Sequence, residues 1–217
     1  MKNICITDSM VEKLRERVKP YLTEKRYAHT LGVEREAASL GRLFLPDDIN
    51  KLRCAALLHD ITKKQSAEEQ LALCRELGIE PDDEVLAAPK LFHSITGAAL
   101  AERDFPEYAD ASVISGIRWH TTGYAGMTMF ESIIYLADYI EDTRTFEDCV
   151  TLRNFFYLGL CAAGSESEKY TVFLKTMVLS FDMTVKNLIE EASLIDRNTV
   201  EARNSFIMKL RETERKK

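Results

Sequence analysis

Apolar residues fall along this chain at helical intervals of three and four, as in "MVEKLRERV" and "SIIYLADYI", and nowhere hold a sustained alternation of two. Residues three or four apart share one face of a helix, whereas a half-buried strand alternates. The pattern predicts helices over 8–20, 23–44, 47–62, 66–77, 93–103, 107–120, 128–141, 146–162, 166–192 and 198–213, and hence an all-α fold. Start signals mark several of them. A Ser or Thr followed three residues on by Glu satisfies two free backbone donors at once, and this pattern stands at Ser9–Glu12, Ser66–Glu69, Thr128–Glu131 and Ser165–Glu168. Thr7 and Asp8 compete for the first of these caps, and Asn198 with Glu201 offers a weaker one. Gly78 in "LGIEPDD", Pro106 in "RDFPEYAD" and the glycines of "HTTGYAGMT" supply stops.

No repeat, low-complexity stretch or shift of composition divides the sequence. It reads as a single domain over 1–217, with a core at about 20–145 and a helical extension at about 146–213. The seam falls near residue 144, beyond which there is no histidine, and the tail "RETERKK" reads as a solvated end. Of the 217 residues, 46% are hydrophobic and 29% charged, which is enough to bury a core. A net charge of -6 gives no general reason to expect a nucleic-acid partner, so an anionic small substrate needs a local basic site. The five cysteines contain no C-x-x-C pair and read as reduced thiols of a cytoplasmic protein. The opening "MKNICITDSM" lacks the basic-then-apolar order of a signal peptide. No apolar run approaches the roughly 20 residues that span a bilayer, so no membrane association is expected.

The histidines change the picture. His29, His59, His93 and His120 each lie in or beside a helical stretch with apolar neighbours, in "RYAHTLGV", "AALLHDIT", "KLFHSITG" and "GIRWHTTG". Taken singly, each has an ordinary reading as a hydrogen-bonded core or surface residue. Together they leave no histidine for ordinary duty, and two aspartates stand in equally costly places. Asp138 interrupts "SIIYLADYI" and Asp60 ends "CAALLHD". A buried carboxylate must be paired or bound to metal. For Asp138, Tyr135 or a buried arginine is the pairing alternative. Adjacent His59 and Asp60 diverge by about 100° on a helix, so the dipeptide has the means to offer nitrogen to one ion and a carboxylate to a second. Imidazole and carboxylate donors suit iron, manganese or zinc.

The order His29, His59–Asp60, His93, His120, Asp138 resembles the HD-domain metal-dependent phosphohydrolases. The phrases "KRYAHTLGV", "AALLHDITK", "FHSITGA", "IRWHTTG", "MTMFESIIYLADYIEDTR" and "TVEARN" resemble one branch, the YqeK-type symmetrical bis(5′-nucleosyl)-tetraphosphatases, over most of 11–210. The resemblance implies an HD-domain helical bundle with additional C-terminal helices around two divalent or mixed-valence metal ions, iron first and manganese second. It also implies hydrolysis of diadenosine tetraphosphate to two ADP by a metal-activated bridging hydroxide. By position, His29, His59, Asp60 and Asp138 would hold one ion, with Asp60 bridging to a second held by His93 and His120. His59, Asp60 and Lys63 would be catalytic, and His29, His93, His120 and Asp138 would also face substrate.

Other side chains fit a polyanionic substrate. Lys63, shortly after Asp60, is placed to reach a phosphate, against an equal reading as an exposed helix-end lysine. The fork of Arg144 suits bidentate phosphate contact, with a structural pair to Glu141 as its rival. Thr121 and Thr122 offer hydroxyl and backbone donors in a glycine-terminated loop, with stabilising the turn as the alternative for Thr122. Thr199, Arg203 and Asn204 enter as nucleotide contacts by resemblance, with a surface helix start as the alternative. Trp119 and Tyr124 are aromatic candidates for base stacking but read more readily as core. The branch pattern weakens after Arg144, and Asp196–Arg197 stand where the branch has His–Pro. The rival functions are another HD phosphohydrolase acting on a different nucleotide or alarmone, a di-iron oxygenase, or a silent nucleotide-binding module. The acidic surface and late amphipathic helices permit a homodimer without requiring one.

Overall fold

The helical spacing is realised as eleven α-helices in a computed structural model that describes residues 4–215, and no strand occurs among them. They are α1 (Asp8–Val18), α2 (Glu24–Phe44), α3 (Ile49–Leu58), α4 (Ala67–Glu76), α5 (Asp83–Ala87), α6 (Phe92–Asp104), α7 (Ala111–Trp119), α8 (Met129–Ile140), α9 (Glu147–Ala162), α10 (Glu166–Glu190) and α11 (Arg197–Arg215). Helices α2, α3 and α8 pack on one another at the centre, α7 lies against α3 and α8, and α6 joins α7 to α4. Helix α1 covers α3, and α9, α10 and α11 stack in succession with α10 touching α8. The run Cys54–Leu58 and the apolar face of α8 are wholly enclosed. Stacked rings carry the core into the late helices: Phe181 lies 4.6 Å from Tyr135 and 5.9 Å from Phe206. Burial of one such ring contributes roughly 1.5–3 kcal/mol. Among the described residues no helix is long and apolar enough to cross a membrane.

Several helix bounds and caps differ from those expected. Thr7, not Ser9, caps α1, and Glu12 instead pairs with Arg15 at 2.6 Å. At α4 the reciprocal cap of Ser66 and Glu69 forms in full. At α8 the Glu131 carboxylate takes both the N–H and the hydroxyl of Thr128. Glu168 reaches past Ser165 to the N–H of Gly164. Asp196, rather than Asn198, caps α11 by accepting from Asn198 N at 2.8 Å. Helix α7 starts at Ala111 rather than 107 because Asp110 accepts from the N–H groups of Ser112 and Val113. The short helix α5, capped by Asp82, falls between the helices expected over 66–77 and 93–103.

The most consequential difference is at α3, expected to run to 62 but ending at Leu58. Its continuation folds into tight turns, with N–H groups of Ile61, Lys63 and Gln65 bonding carbonyls three residues back. Two contacts pin these turns from outside. Thr62 Oγ1 donates to His93 O at 3.0 Å, and Gln70 Nε2 donates to Thr62 O at 2.6 Å. "HDITK" is therefore the end of a helix tied to α4 and α6, not its interior. A buried ion-pair network fixes the first three helices in the same manner. Glu34, 1% exposed, accepts from Arg15 of α1 at 2.7 and 2.8 Å and from Arg53 of α3 at 2.9 Å, the full pairing that a buried carboxylate needs.

Candidate metal centre

Helix ends deliver most of the polar cluster. His29 lies within α2, and His59 and Asp60 follow α3 directly. His93 stands in the first turn of α6, His120 follows α7, and Asp138 lies near the end of α8. The carbonyl three residues earlier fixes three of the rings. Nδ1 of His59, His93 and His120 lies 2.6, 2.7 and 2.7 Å from the carbonyl oxygens of Ala56, Lys90 and Ile117. A carbonyl only accepts, so each Nδ1 carries the proton and each Nε2 keeps a lone pair. His29 obeys the same rule through another partner, with Nδ1 3.0 Å from the Glu141 carboxylate. All four rings therefore present Nε2 to one space.

Asp60, 3% exposed, stands in the middle of that space. Its Oδ2 lies 3.3 Å from His59 Nε2 and 3.9 Å from His29 Nε2, whereas its Oδ1 lies 3.4 Å from His93 Nε2 and 3.8 Å from His120 Nε2. One oxygen faces each pair of imidazoles. Asp138 Oδ1 adds a carboxylate on the first side, 3.0 Å from His29 Nε2 and 3.7 Å from His59 Nε2. Donor atoms of His29, His59 and Asp138 lie within 4.8 Å of one another, and so do those of His59, Asp60 and His120. His93 joins the second set through His120, their Nε2 atoms being 3.0 Å apart.

The donors fit metal ions. The buried Nε2 atoms of His29 and His59 have no hydrogen-bond partner, the 3.0 Å approach of Asp138 to His29 lacking hydrogen-bond alignment. Buried polar atoms are rarely left so, and the lone pairs of His93 and His120 point at each other. A cation between them resolves both conflicts. The electrostatics agree. Burial pushes the His93 imidazole well below its ordinary value, with help from the charges of His120 and Lys63. Burial first, and then His59, lowers His120 to about 4. Neutral imidazoles are the form that binds metal. Burial opposes charge on Asp60, yet the imidazoles, His59 foremost, hold its carboxyl well below the usual range. Burial likewise opposes a charged His29, but the carboxylates of Asp138 and Glu141 outweigh it and raise the ring to about 9. A metal at that end would displace the proton that these carboxylates hold on His29.

Three cations ring the cluster. Lys63 Nζ lies 3.1 Å from His93 Nε2, and burial lowers its ammonium. Arg144 donates from Nη2 to Asp138 Oδ1 and from Nε to Asp138 O, both at 2.6 Å. It is thus the half-buried arginine that pairs with Asp138 rather than with the Glu141 carboxylate. Arg26, which sequence reasoning missed, donates to Asp60 Oδ2 at 2.9 Å. Glu141 was recognised only as a rival partner for Arg144 and not as the support of His29. Both omissions share a signal: Arg26 precedes His29 by three residues and Glu141 follows Asp138 by three, which is helix-face spacing. Gly32 makes the second contact possible, since a Cβ there would overlap Glu141 Oε2.

Thr121 joins the cluster, its hydroxyl 3.2 Å from Nε2 of both His93 and His120, whereas Thr122 bonds Gly123 O within the turn. A cavity of about 480 Å³ opens beside His120, Thr121, Asp138 and Arg144. A second, of about 400 Å³, opens beside Arg26, His29 and Arg144. A third, of about 440 Å³, shares Thr121 and Thr184 with the first and is lined by the buried Thr199. Arg203 and Asn204 line none of the three: Arg203 pairs with Asp182, and Asn204 faces solvent. Trp119 and Tyr124 pack on each other at 4.8 Å away from these cavities, and Tyr124 donates its hydroxyl to Glu131.

Residues 26–143 match the HD domain family. The chain is 40% identical over 129 residues to a symmetrical bis(5′-nucleosyl)-tetraphosphatase of Halalkalibacterium halodurans, covering 59% of this chain and 67% of that one. It is 37% identical over 158 residues to the protein of the same name from Bacillus subtilis, covering 72% and 83%. A crystal structure from Clostridium acetobutylicum, described as a "predicted HD superfamily hydrolase involved in NAD metabolism", superimposes with a TM-score of 0.77 at 34% identity, covering 91% of this chain and 97% of that one. The chain belongs to the HD-domain family, in the branch of the symmetrical bis(5′-nucleosyl)-tetraphosphatases.

Proposed function

We propose that this chain hydrolyses symmetrical dinucleoside tetraphosphates, diadenosine tetraphosphate among them, to two nucleoside diphosphates at a centre of two metal ions. As an HD-domain protein with clustered His and Asp donors it binds divalent metal. The observation that carries the two-ion reading is Asp60, whose two oxygens face different imidazole pairs. His29, His59, Asp60 and Asp138 would hold one ion, and Asp60, His93 and His120 the other. Nitrogen and carboxylate donors suit iron, manganese or zinc, and the family resemblance points to iron first and manganese second. Bound ions supply a water of lowered pKa and neutralise charge on phosphoryl oxygens.

The chain's own groups do the rest. Carbonyls of Ala56, Lys90 and Ile117 keep three rings in one tautomer, so their nitrogens need no rearrangement. Lys63, Arg26 and Arg144 bring positive charge to the place where a tetraphosphate must lie, inside a protein of net charge -6. Arg144 offers a planar fork to phosphate oxygens, and Thr121 a hydroxyl. Product analysis tests the proposal. Iron- or manganese-loaded protein in heavy-oxygen water should convert diadenosine tetraphosphate to ADP alone, with the label in an ADP phosphate. AMP plus ATP, or no turnover with either metal, contradicts it. A second reading follows from the name of the Clostridium structure, because NAD also joins two nucleosides through a phosphoanhydride. Preferred turnover of NAD over the tetraphosphate selects that reading.

A further inference from the structure

A dinucleotide brings two bases as well as a polyanion, and the metal-facing groups named above speak only to the phosphates. The aromatics in or near the cavities are mostly committed elsewhere. Tyr135 is 4% exposed with its ring stacked on Phe181, Tyr139 packs against the core, and Trp119 and Tyr124 occupy each other. Phe146 differs. The residue is 70% exposed, and among the described residues no other ring stacks on it. It lines both the cavity of about 480 Å³ and the cavity of about 400 Å³, which meet at Arg144.

The loop that carries this ring is held firmly. Arg153 donates from Nε to Ile140 O at 2.6 Å and from Nη2 to Arg144 O at 2.8 Å, while Arg144 N bonds Glu141 O at 3.2 Å. These bonds hold the backbone as far as Arg144, and Phe146 follows at the start of α9 with its carbonyl accepting from Val150 N at 3.0 Å, so an exposed phenyl ring stands two residues after a guanidinium that bonds Asp138 at 2.6 Å. A nucleotide has the matching layout, with an anionic end and a flat base separated by a ribose. Beyond the ring, in the larger cavity, Asn187 donates to Asp148 at 2.6 Å, so polar groups are at hand for the edge of a base. We infer that Phe146 is the stacking platform for one base of the substrate, placed in the larger cavity with its phosphates toward Arg144. This rests on the proposed dinucleotide reading for its substrate, but the stacking site stands on its own geometry.

The experiment compares ADP with inorganic pyrophosphate as ligands of the metal-loaded protein, by calorimetry and by competition against turnover. Stacking on an aromatic ring is worth roughly 5- to 150-fold in affinity per base. Phe146→Ala should weaken ADP by that factor, leave pyrophosphate unchanged and raise KM for the dinucleotide far more than it lowers kcat. Phe146→Trp should restore ADP binding. Equal loss for ADP and pyrophosphate, or no loss for ADP, overturns the stacking role. A wild-type protein that cleaves no dinucleoside tetraphosphate yet prefers ADP through Phe146 refutes the proposed substrate and leaves the platform standing. A wild-type protein that binds ADP no better than pyrophosphate refutes the platform whatever the substrate.

Discussion

The orientation of four imidazoles rests on four acceptors, three backbone carbonyls and one carboxylate. The carbonyls belong to the backbone and cannot be removed by substitution, so Glu141 is the accessible test of ring orientation. Glu141→Ala leaves His29 Nδ1 without its acceptor at 3.0 Å. Loss of such a supporting partner typically costs about 10- to 100-fold in metal affinity or activity, to be measured by metal titration, and unchanged affinity would show that His29 needs no support. His59→Ala should remove metal and turnover together, because its Nε2 belongs to both donor groups; turnover retained by this variant contradicts its assignment. At this scale the sequence was legible where a residue type was costly in its surroundings. Asp60 and Asp138 stood out because a carboxylate in an apolar run demands a partner. Arg26 and Glu141 did not, since charged residues near helix ends are ordinary and only their partners make them otherwise.

Elements were legible wherever apolar spacing or a reciprocal cap spoke, as at Ser66 and Glu69, and less so where a tertiary contact decides. Nothing local ends α3 at Leu58. Thr62 and Gln70, reaching to and from other helices, fold "HDITK" into turns, and the spacing of a continuous helix hides that. Competing caps were equally hard to rank, because Thr7, Asp8 and Ser9 are all good acceptors in sequence. Glu131 shows how an expected cap gains a second duty. Buried at 5% exposure, its carboxylate accepts from Thr128 N at 2.6 Å and Tyr124 Oη at 2.9 Å, and also from Ser115 on α7. It thereby sets α8, and with it Asp138, against α7. Glu131→Ala should lower unfolding free energy by about 2 kcal/mol or more, since bonds to a charged group are worth roughly 1.5–3 kcal/mol each. Urea denaturation reads this directly, and a loss below about 0.5 kcal/mol would show the anchor to be idle.

For the whole molecule, the centre is where separate helices meet, and its donors come from α2, the end of α3, α6, the end of α7 and α8. Metal that binds only this folded arrangement must stabilise it. At free metal 100-fold above its Kd the gain is about 2.7 kcal/mol, which for a chain of this size corresponds to about 5–10 °C in Tm. Chelation should lower Tm by that amount and readdition should restore it; an unchanged Tm would mean that no ion ties the helices together. The late helices follow the same logic from outside, since Thr184 and Asn187 of α10 line the larger cavity beside His120 and Arg144. The sequence revealed these helices by their period but not their place as a cavity wall, which depends on rings such as Phe181 meeting Tyr135 across a long separation. The central claim is that Asp60 joins two ions. An anomalous-difference map of crystals grown with iron or manganese should hold two peaks, one beside His29, His59 and Asp138 and one beside His93 and His120, with an Asp60 oxygen on each. A single peak, or peaks that leave Asp60 uncoordinated, would contradict the account.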